Sequence, residues 1–170
     1  MAIDGCRHSF RMLATDILPG YMRQLRERMA RPIPMAEFAV QGQGPVTIAR
    51  RHGMAGEFGG CYVFLDGDRP IYVGISRKVC SRIRNHLQGE GHHNATLAYK
   101  MTAEHLAFEG TRDQAMQNPE FMAAFAKTKA YLVRLHIAFI EIENAVEMHL
   151  FELYAAMKLD TCEWNTFRTH

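Results

Sequence analysis

The stretch Gly60–Leu87, GCYVFLDGDRPIYVGISRKVCSRIRNHL, limits the fold of this chain more than any other. Cys61-Tyr62-Val63-Phe64-Leu65 is an apolar run rich in β-branched and aromatic residues. Asp66-Gly67-Asp68-Arg69-Pro70 is turn chemistry, because Gly tolerates a positive φ and Pro presets its own. Ile71-Tyr72-Val73 resumes an extended run and Gly74 ends it. Ser76 can cap a helix, its hydroxyl accepting from the free amides of the first turn. The stretch thus predicts two short strands, a turn and a basic helix. Each strand carries one tyrosine, Tyr62 and Tyr72, and Arg82 and His86 stand four apart on one face of the helix. Two phenols, a guanidinium and an imidazole meeting where hairpin joins helix would suit a phosphate.

Gly60-Cys61-Tyr62 followed by Tyr72-Val73-Gly74 resembles the paired tripeptides that name the GIY-YIG nucleases, and Arg82 and His86 stand at the offsets where that family keeps its arginine and histidine. Cys61 departs from the family's usual aliphatic residue but is small and tolerates burial. The resemblance begins at about Gly59 and implies an α/β (α+β) fold: a small three-stranded, mainly antiparallel sheet flanked by helices. It divides the chain into a helical and loop-rich extension over 1–58 and a nuclease domain over 59–170.

The resemblance also implies a chemistry, that of a divalent-metal-dependent endonuclease acting on DNA. The family keeps one carboxylate on a late helix, a dozen or so residues before an asparagine, and Glu152 with Asn165 fits that spacing. By helical phase alone Glu152 reads as a solvated glutamate. The implied catalytic set is Tyr62, Tyr72, Arg82, His86, Glu152 and Asn165. Glu152 would hold Mg²⁺ or Mn²⁺, because a single carboxylate with several waters suits a hard cation that dehydrates reluctantly. Arg82 would clamp non-bridging oxygens with its planar fork. Tyr62 would be the general base; a free phenol at ~10 is too weakly acidic for neutral pH, so Arg82 and the metal would have to stabilise the phenolate. His86 would orient or help deprotonate Tyr62 and Tyr72 would hydrogen-bond phosphate or water, two roles that could be exchanged. Asn165 would position Glu152 or the substrate. Arg77, Lys78, Arg84 and His93 are the further substrate-binding candidates. The alternative is a catalytically inactive nucleic-acid-binding module on the same fold, which would have no need of Glu152. A third class is a structural adaptor whose basic segment is a solvated surface.

Composition adds bounds. The chain of 170 residues is 48% hydrophobic, enough for one well-packed domain or a domain with an extension. No apolar run approaches the ~20 residues that span a bilayer, and the start, MAIDGCRHSF, does not read as a signal peptide. Cys6, Cys61, Cys80 and Cys162 form no Cys-x-x-Cys pair and read as reduced thiols of a cytoplasmic protein, with zinc disfavoured. The net charge of +2 does not advertise nucleic acid. Its distribution says more. From Arg69 to Lys100 six bases face one acid, Glu90, whereas from Ala130 onward Arg134, Lys158 and Arg168 face six acids. A basic segment beside an acidic one suits a phosphate surface and a cation site.

Elsewhere the pattern predicts helix over residues 1–31, broken near Pro19-Gly20, with Tyr21, Leu25 and Met29 on one side and Arg23, Arg26 and Arg28 over much of the rest. That arginine-rich piece would pack on the core or touch DNA. The run to Gly59 reads as loop-rich. Gln88–Gly91 reads as a turn and Ala95–Met101 as helix capped by Asn94. The adjacent pair His92-His93 lacks a third ligand at metal spacing. Pro119–Lys127 reads as a short helix, and the alternation over Ala130–Ile142 as a half-buried third strand with His136 structural. From Asn144, Val146, Leu150, Leu153 and Met157 recur at helical spacing as a buried stripe.

Overall fold

The computed structural model describes residues 3–89 and 93–167. Glu90 and Gly91 of the expected turn, His92 of the histidine pair and Arg168 lie outside them. The described elements in chain order are α1 (Phe10–Met12), α2 (Leu18–Met29), β1 (Ile33–Pro34), α3 (Pro45–Arg51), β2 (Gly60–Asp66), β3 (Arg69–Ser76), α4 (Val79–Gln88), α5 (Thr96–His105), α6 (Arg112–Gln117), α7 (Pro119–Val133), β4 (His136–Glu141) and α8 (Ala145–Leu159), with short 3-10 turns at Ile3–Gly5 and Met35–Ala39. They fall into two compact units. The first comprises Met1–Ile33, Glu57–Val79 and His136–His170, the second Pro34–Gly56 and Cys80–Leu135. The α/β class is as expected, with the two-residue β1 making the sheet four-stranded, in the order β1-β4-β2-β3.

In the first unit β2 pairs antiparallel with both β3 and β4. Its residues Gly60–Leu65 are buried, which explains the unbroken apolar run: a strand covered on both faces has no polar side to show. The alternation splits the side chains. Cys61, Val63, Leu65, Val73, Ala138 and Ile140 join one core with Leu18, Met22 and Leu25 of α2 and Met148, Phe151, Ala155 and Ala156 of α8. Tyr62, Phe64 and Tyr72 take the other face, their ring centroids 5.4–6.3 Å apart. The β2–β3 register shifts between Phe64 and Leu65, where Pro70 offers no N–H to the ladder.

Both motif glycines answer to close approach. A Cβ on Gly60 would run into the Ile140 carbonyl of β4. Gly74 is the cross-strand partner of Tyr62, and a Cβ there would stand 2.5 Å from the tyrosine's Cζ and Oη. The second tripeptide therefore ends in glycine because the tyrosine of the first lies across it.

The N-terminal helix departs from expectation. Pro19 and Gly20 do not break it; both lie in the first turn of α2, preceded by one π-helical stretch, Leu13–Ile17, with the Leu18 N–H bonded to the Leu13 carbonyl. The wide turn reroutes backbone bonds just where Pro19 lacks a donor. Leu18, Met22 and Leu25 are buried, Tyr21 and Met29 pack against them, and Arg23, Arg26 and Arg28 face solvent. In α8 the buried stripe is Met148, Phe151 and Ala155 with Glu147 and Ala156, while Leu153 and Met157 are 43% and 76% exposed. The helix is apolar around much of its circumference, so its sequence admits several phases; packing of Phe151 selects one.

Other readings are corrected as well. α7 runs on to Val133, burying Phe121, Phe125 and Leu132, so the third long strand, β4, starts only at His136. Tyr131-Leu-Val has strand composition, yet its Leu132 continues the helix's buried row. Ile137 through Ile140 are all buried, so β4 is covered on both faces rather than half-buried. The expected Asn94 cap is absent, and α5 begins after Ala95 with no side-chain cap. The loop-rich region holds α3 and buries Met35, Phe38, Ile48 and Ala49.

Candidate functional site

Four of the six catalytic candidates belong to the first unit. Tyr62 and Tyr72 lie diagonally across the β2–β3 pair, ring centroids 6.3 Å apart, with Tyr62 only 1% exposed. Asn165, in the segment after α8, reaches β3 with both ends of its amide. Its Oδ1 accepts from the Val73 N–H at 2.9 Å and its Nδ2 donates to the Val73 carbonyl at 2.8 Å. β3 is the last strand in the sheet order, so this amide supplies the edge pairing that a further strand would give. It fixes the backbone between Tyr72 and Gly74. Asn165, expected to position Glu152 or the substrate, makes these bonds to β3.

Glu152 sits on α8 one turn from Met148 and from Ala156, half-buried at the flank of the core stripe. Burial raises its carboxyl above the ordinary value. Burial first, and the Glu152 charge second, raise the thiol of Cys61. Cys61 leaves β2 on the face opposite Tyr62. The first unit therefore joins the two phenols and Asn165 around β3, and associates the carboxylate with the Cys61 side.

Arg77 and Lys78 are exposed in the turn before α4, where the Ser76 hydroxyl accepts from the Lys78 N–H at 3.0 Å. This is a local serine turn; the helix starts at Val79, two residues later than a Ser76 cap would require.

In the second unit, Arg82 donates to the Asn94 carbonyl at 3.2 Å and to the Thr96 hydroxyl at 2.8 Å. These bonds hold the guanidinium at the start of α5 while its five-donor fork keeps other N–H groups for acceptors. His86 is wholly buried, and burial, with the neighbouring Arg82 second, pushes its imidazole down to about 3. It is neutral throughout the physiological range. Arg84 turns onto its own chain, donating to the carbonyls of Phe38 at 3.3 Å and Gln43 at 2.5 Å. His93 is exposed in a turn.

The His86 shift carries a stability consequence. Unfolded, the ring takes a proton near 6.5; folded, only near 3. Between those values the unfolded state binds the extra proton, so stability present above about 6.5 is lost as pH falls through that window. Urea denaturation at descending pH should show a loss on the order of a few kcal/mol that a His86→Gln variant largely lacks. Parallel curves for the two proteins would refute a buried neutral imidazole.

One carboxylate was missed by sequence reasoning as a site. Glu147, in the first turn of α8 and 5% exposed, accepts from the Tyr21 hydroxyl at 2.6 Å and contacts His8 Nδ1 at 2.7 Å. Burial and this carboxylate raise the Tyr21 phenol. Its partners lie more than 120 residues away in sequence, so no local spacing could reveal them.

Residues 58–119 match the family model of the GIY-YIG catalytic domain. This match supports membership of the GIY-YIG superfamily. The matched segment contains Tyr62, Tyr72, Arg82 and His86; Glu152 and Asn165 lie beyond it. No curated protein and no solved structure gives a significant match. The family is one of nucleases, and no described helix is long and apolar enough to cross a membrane.

Proposed function

We propose that the chain is a divalent-metal-dependent endonuclease that hydrolyses phosphodiester bonds of DNA. The observation that carries this reading is the seating of Tyr62 over Gly74 beside Tyr72, with Asn165 bonded to the residue between Tyr72 and Gly74. A binding module needs no such fixed pair of phenols.

The donor set fits a hard cation at Glu152. Its oxygen is the ligand type Mg²⁺ and Mn²⁺ take, and a half-buried carboxylate whose pKa is raised by burial is relieved by a nearby cation. When bound, the metal supplies Lewis acidity toward the phosphodiester and its leaving 3′ oxygen. The remaining work falls to the chain's own groups. Tyr62 takes the proton of the attacking water at Oη. Arg82 binds non-bridging oxygens, its guanidinium oriented by Asn94 and Thr96. His86, with a conjugate acid near 3, is too weak a base to hold Tyr62's proton at neutral pH and serves as a neutral orienting group. Tyr72 hydrogen-bonds phosphate or water, and Arg77 and Lys78 meet the DNA backbone.

Supercoiled plasmid incubated with Mg²⁺ should be nicked or linearised, and excess chelator should stop the reaction. Binding without cleavage under any divalent ion would make the protein a binding module on this fold. Neither binding nor cleavage would leave the adaptor.

A further inference from the structure

A second group of chemistry-bearing residues lies wholly within the first unit. The N-terminal 3-10 turn Ile3–Gly5 has left-handed φ at Asp4 (46°) and Gly5 (73°), which turns the chain so that Cys6 and His8, two apart, both approach the start of α8. There Cys6 Sγ is 3.9 Å and His8 Nδ1 2.7 Å from the same carboxylate oxygen, Glu147 Oε1. The three donor atoms all lie within 4.8 Å of one another, and Cys6 and Glu147 are buried.

We propose that Cys6, His8 and Glu147 form a zinc-type metal site that clasps the N-terminal segment to the first turn of α8. Four observations lead there. The first is spacing: ligand atoms of a tetrahedral zinc at ~2.0–2.3 Å from the ion stand roughly 3.5 Å apart. The contacts of 2.7 and 3.9 Å bracket that distance, so small side-chain rotations suffice. Donor type is the second. One sulfur, one imidazole and one carboxylate suit a borderline cation such as Zn²⁺ and are a poor set for Mg²⁺.

Charge is the third. A buried carboxylate requires compensation; the hydroxyl of Tyr21 brings none, and the His8 imidazole brings it only when protonated. A dication would balance one thiolate and one carboxylate. The fourth is support around the ligands. Tyr21 donates to the other oxygen, Glu147 Oε2, at 2.6 Å. Asn144 caps α8 by accepting from the N–H groups of Val146 and Glu147, while its Nδ2 donates to the Asp4 carbonyl at 3.2 Å. One amide therefore orients both halves of the site, as outer-shell groups do for metal ligands. Three protein ligands leave a fourth position for water.

This site is separate from Glu152 and does not rest on the nuclease reading. It revises the expectation, drawn from cysteine spacing, that zinc is disfavoured.

The test loads the full chain with Co²⁺, which reports on thiolate ligation optically, and removes excess metal by desalting. The expected result is about one equivalent retained, with a thiolate-to-cobalt charge-transfer band and tetrahedral ligand-field absorption. Cys6→Ser should lose the band, and His8→Ala should lose most of the retained metal. Cys162→Ser, which removes an exposed thiol elsewhere, should keep both. Zn²⁺ should displace the cobalt and raise the melting temperature of the parent but not of Cys6→Ser. Because His8 is partly exposed, His8→Ala is expected to fold, which circular dichroism would verify. Glu152→Gln should leave the band intact, so failure of the nuclease reading and failure of this one are distinguishable. No band in the parent, a band surviving Cys6→Ser, or undiminished retention by folded His8→Ala would overturn the proposal.

Discussion

The Glu152→Gln protein is expected to bind DNA at close to the parent affinity while its Mg²⁺-dependent cleavage falls ~10³-fold or more, since Lewis-acid stabilisation of developing charge is worth several kcal/mol. A companion change in stability makes the test sharper. Burial raises the Glu152 pKa, so the ionised form at neutral pH disfavours the folded state. The sign is that of a group bound to its proton more tightly when folded. Its contribution is fully present in acid and lost as pH rises through the folded pKa. Without metal, Glu152→Gln should therefore melt slightly higher than the parent at neutral pH, with the difference vanishing at low pH. Saturating Mg²⁺ should raise the parent's melting temperature and not the variant's. Cleavage at the parental rate by the variant would remove Glu152 from the metal. The first-turn acid Glu147, already committed to Tyr21 and His8, would not be its natural replacement.

Tyr62→Phe deletes one oxygen and leaves the ring over Gly74. Single-turnover cleavage is expected to fall ~10²- to 10⁴-fold, the usual worth of a general base, with DNA affinity nearly unchanged. A parental rate maintained across the accessible pH range would show that the phenol is not the base. Gly74→Ala supplies the packing counterpart. Its methyl would meet the Tyr62 ring at 2.5 Å, and that ring is 1% exposed, so it has little room to retreat. Destabilisation of about 1–3 kcal/mol is expected from such overpacking. Turnover should also fall in the folded fraction, because the displaced group is the proposed base. Gly74→Ala with parental stability and rate would mean the tyrosine is not seated as described.

What could be read from local sequence here is what local physics decides. The run from Cys61 to Val73 had to be a hairpin, since its apolar stretches and turn residues admit little else, and the Arg82–His86 face follows from helical spacing alone. The two glycines were recognisable as a motif, but the reason for them was not: Gly74 answers to the Tyr62 ring and Gly60 to the Ile140 carbonyl, both on neighbouring strands. Elements with more than one admissible pattern were settled by packing. α8 took its phase from Phe151, Tyr131–Val133 joined a helix because Leu132 extends the buried row of Phe121 and Phe125, and Pro19 was absorbed by a π turn.

Ionisation and partnership lay further still from sequence. No spacing rule makes His86 a neutral imidazole near 3; complete burial beside Arg82 does. Nor does any rule join Cys6 and His8 to Glu147, roughly 140 positions away. Residue type and short spacing determined which groups could perform phosphodiester chemistry. Tertiary structure decided which of them are buried, what charge they carry and which distant side chain they face, because desolvation and approach across strands exist only once the chain has folded.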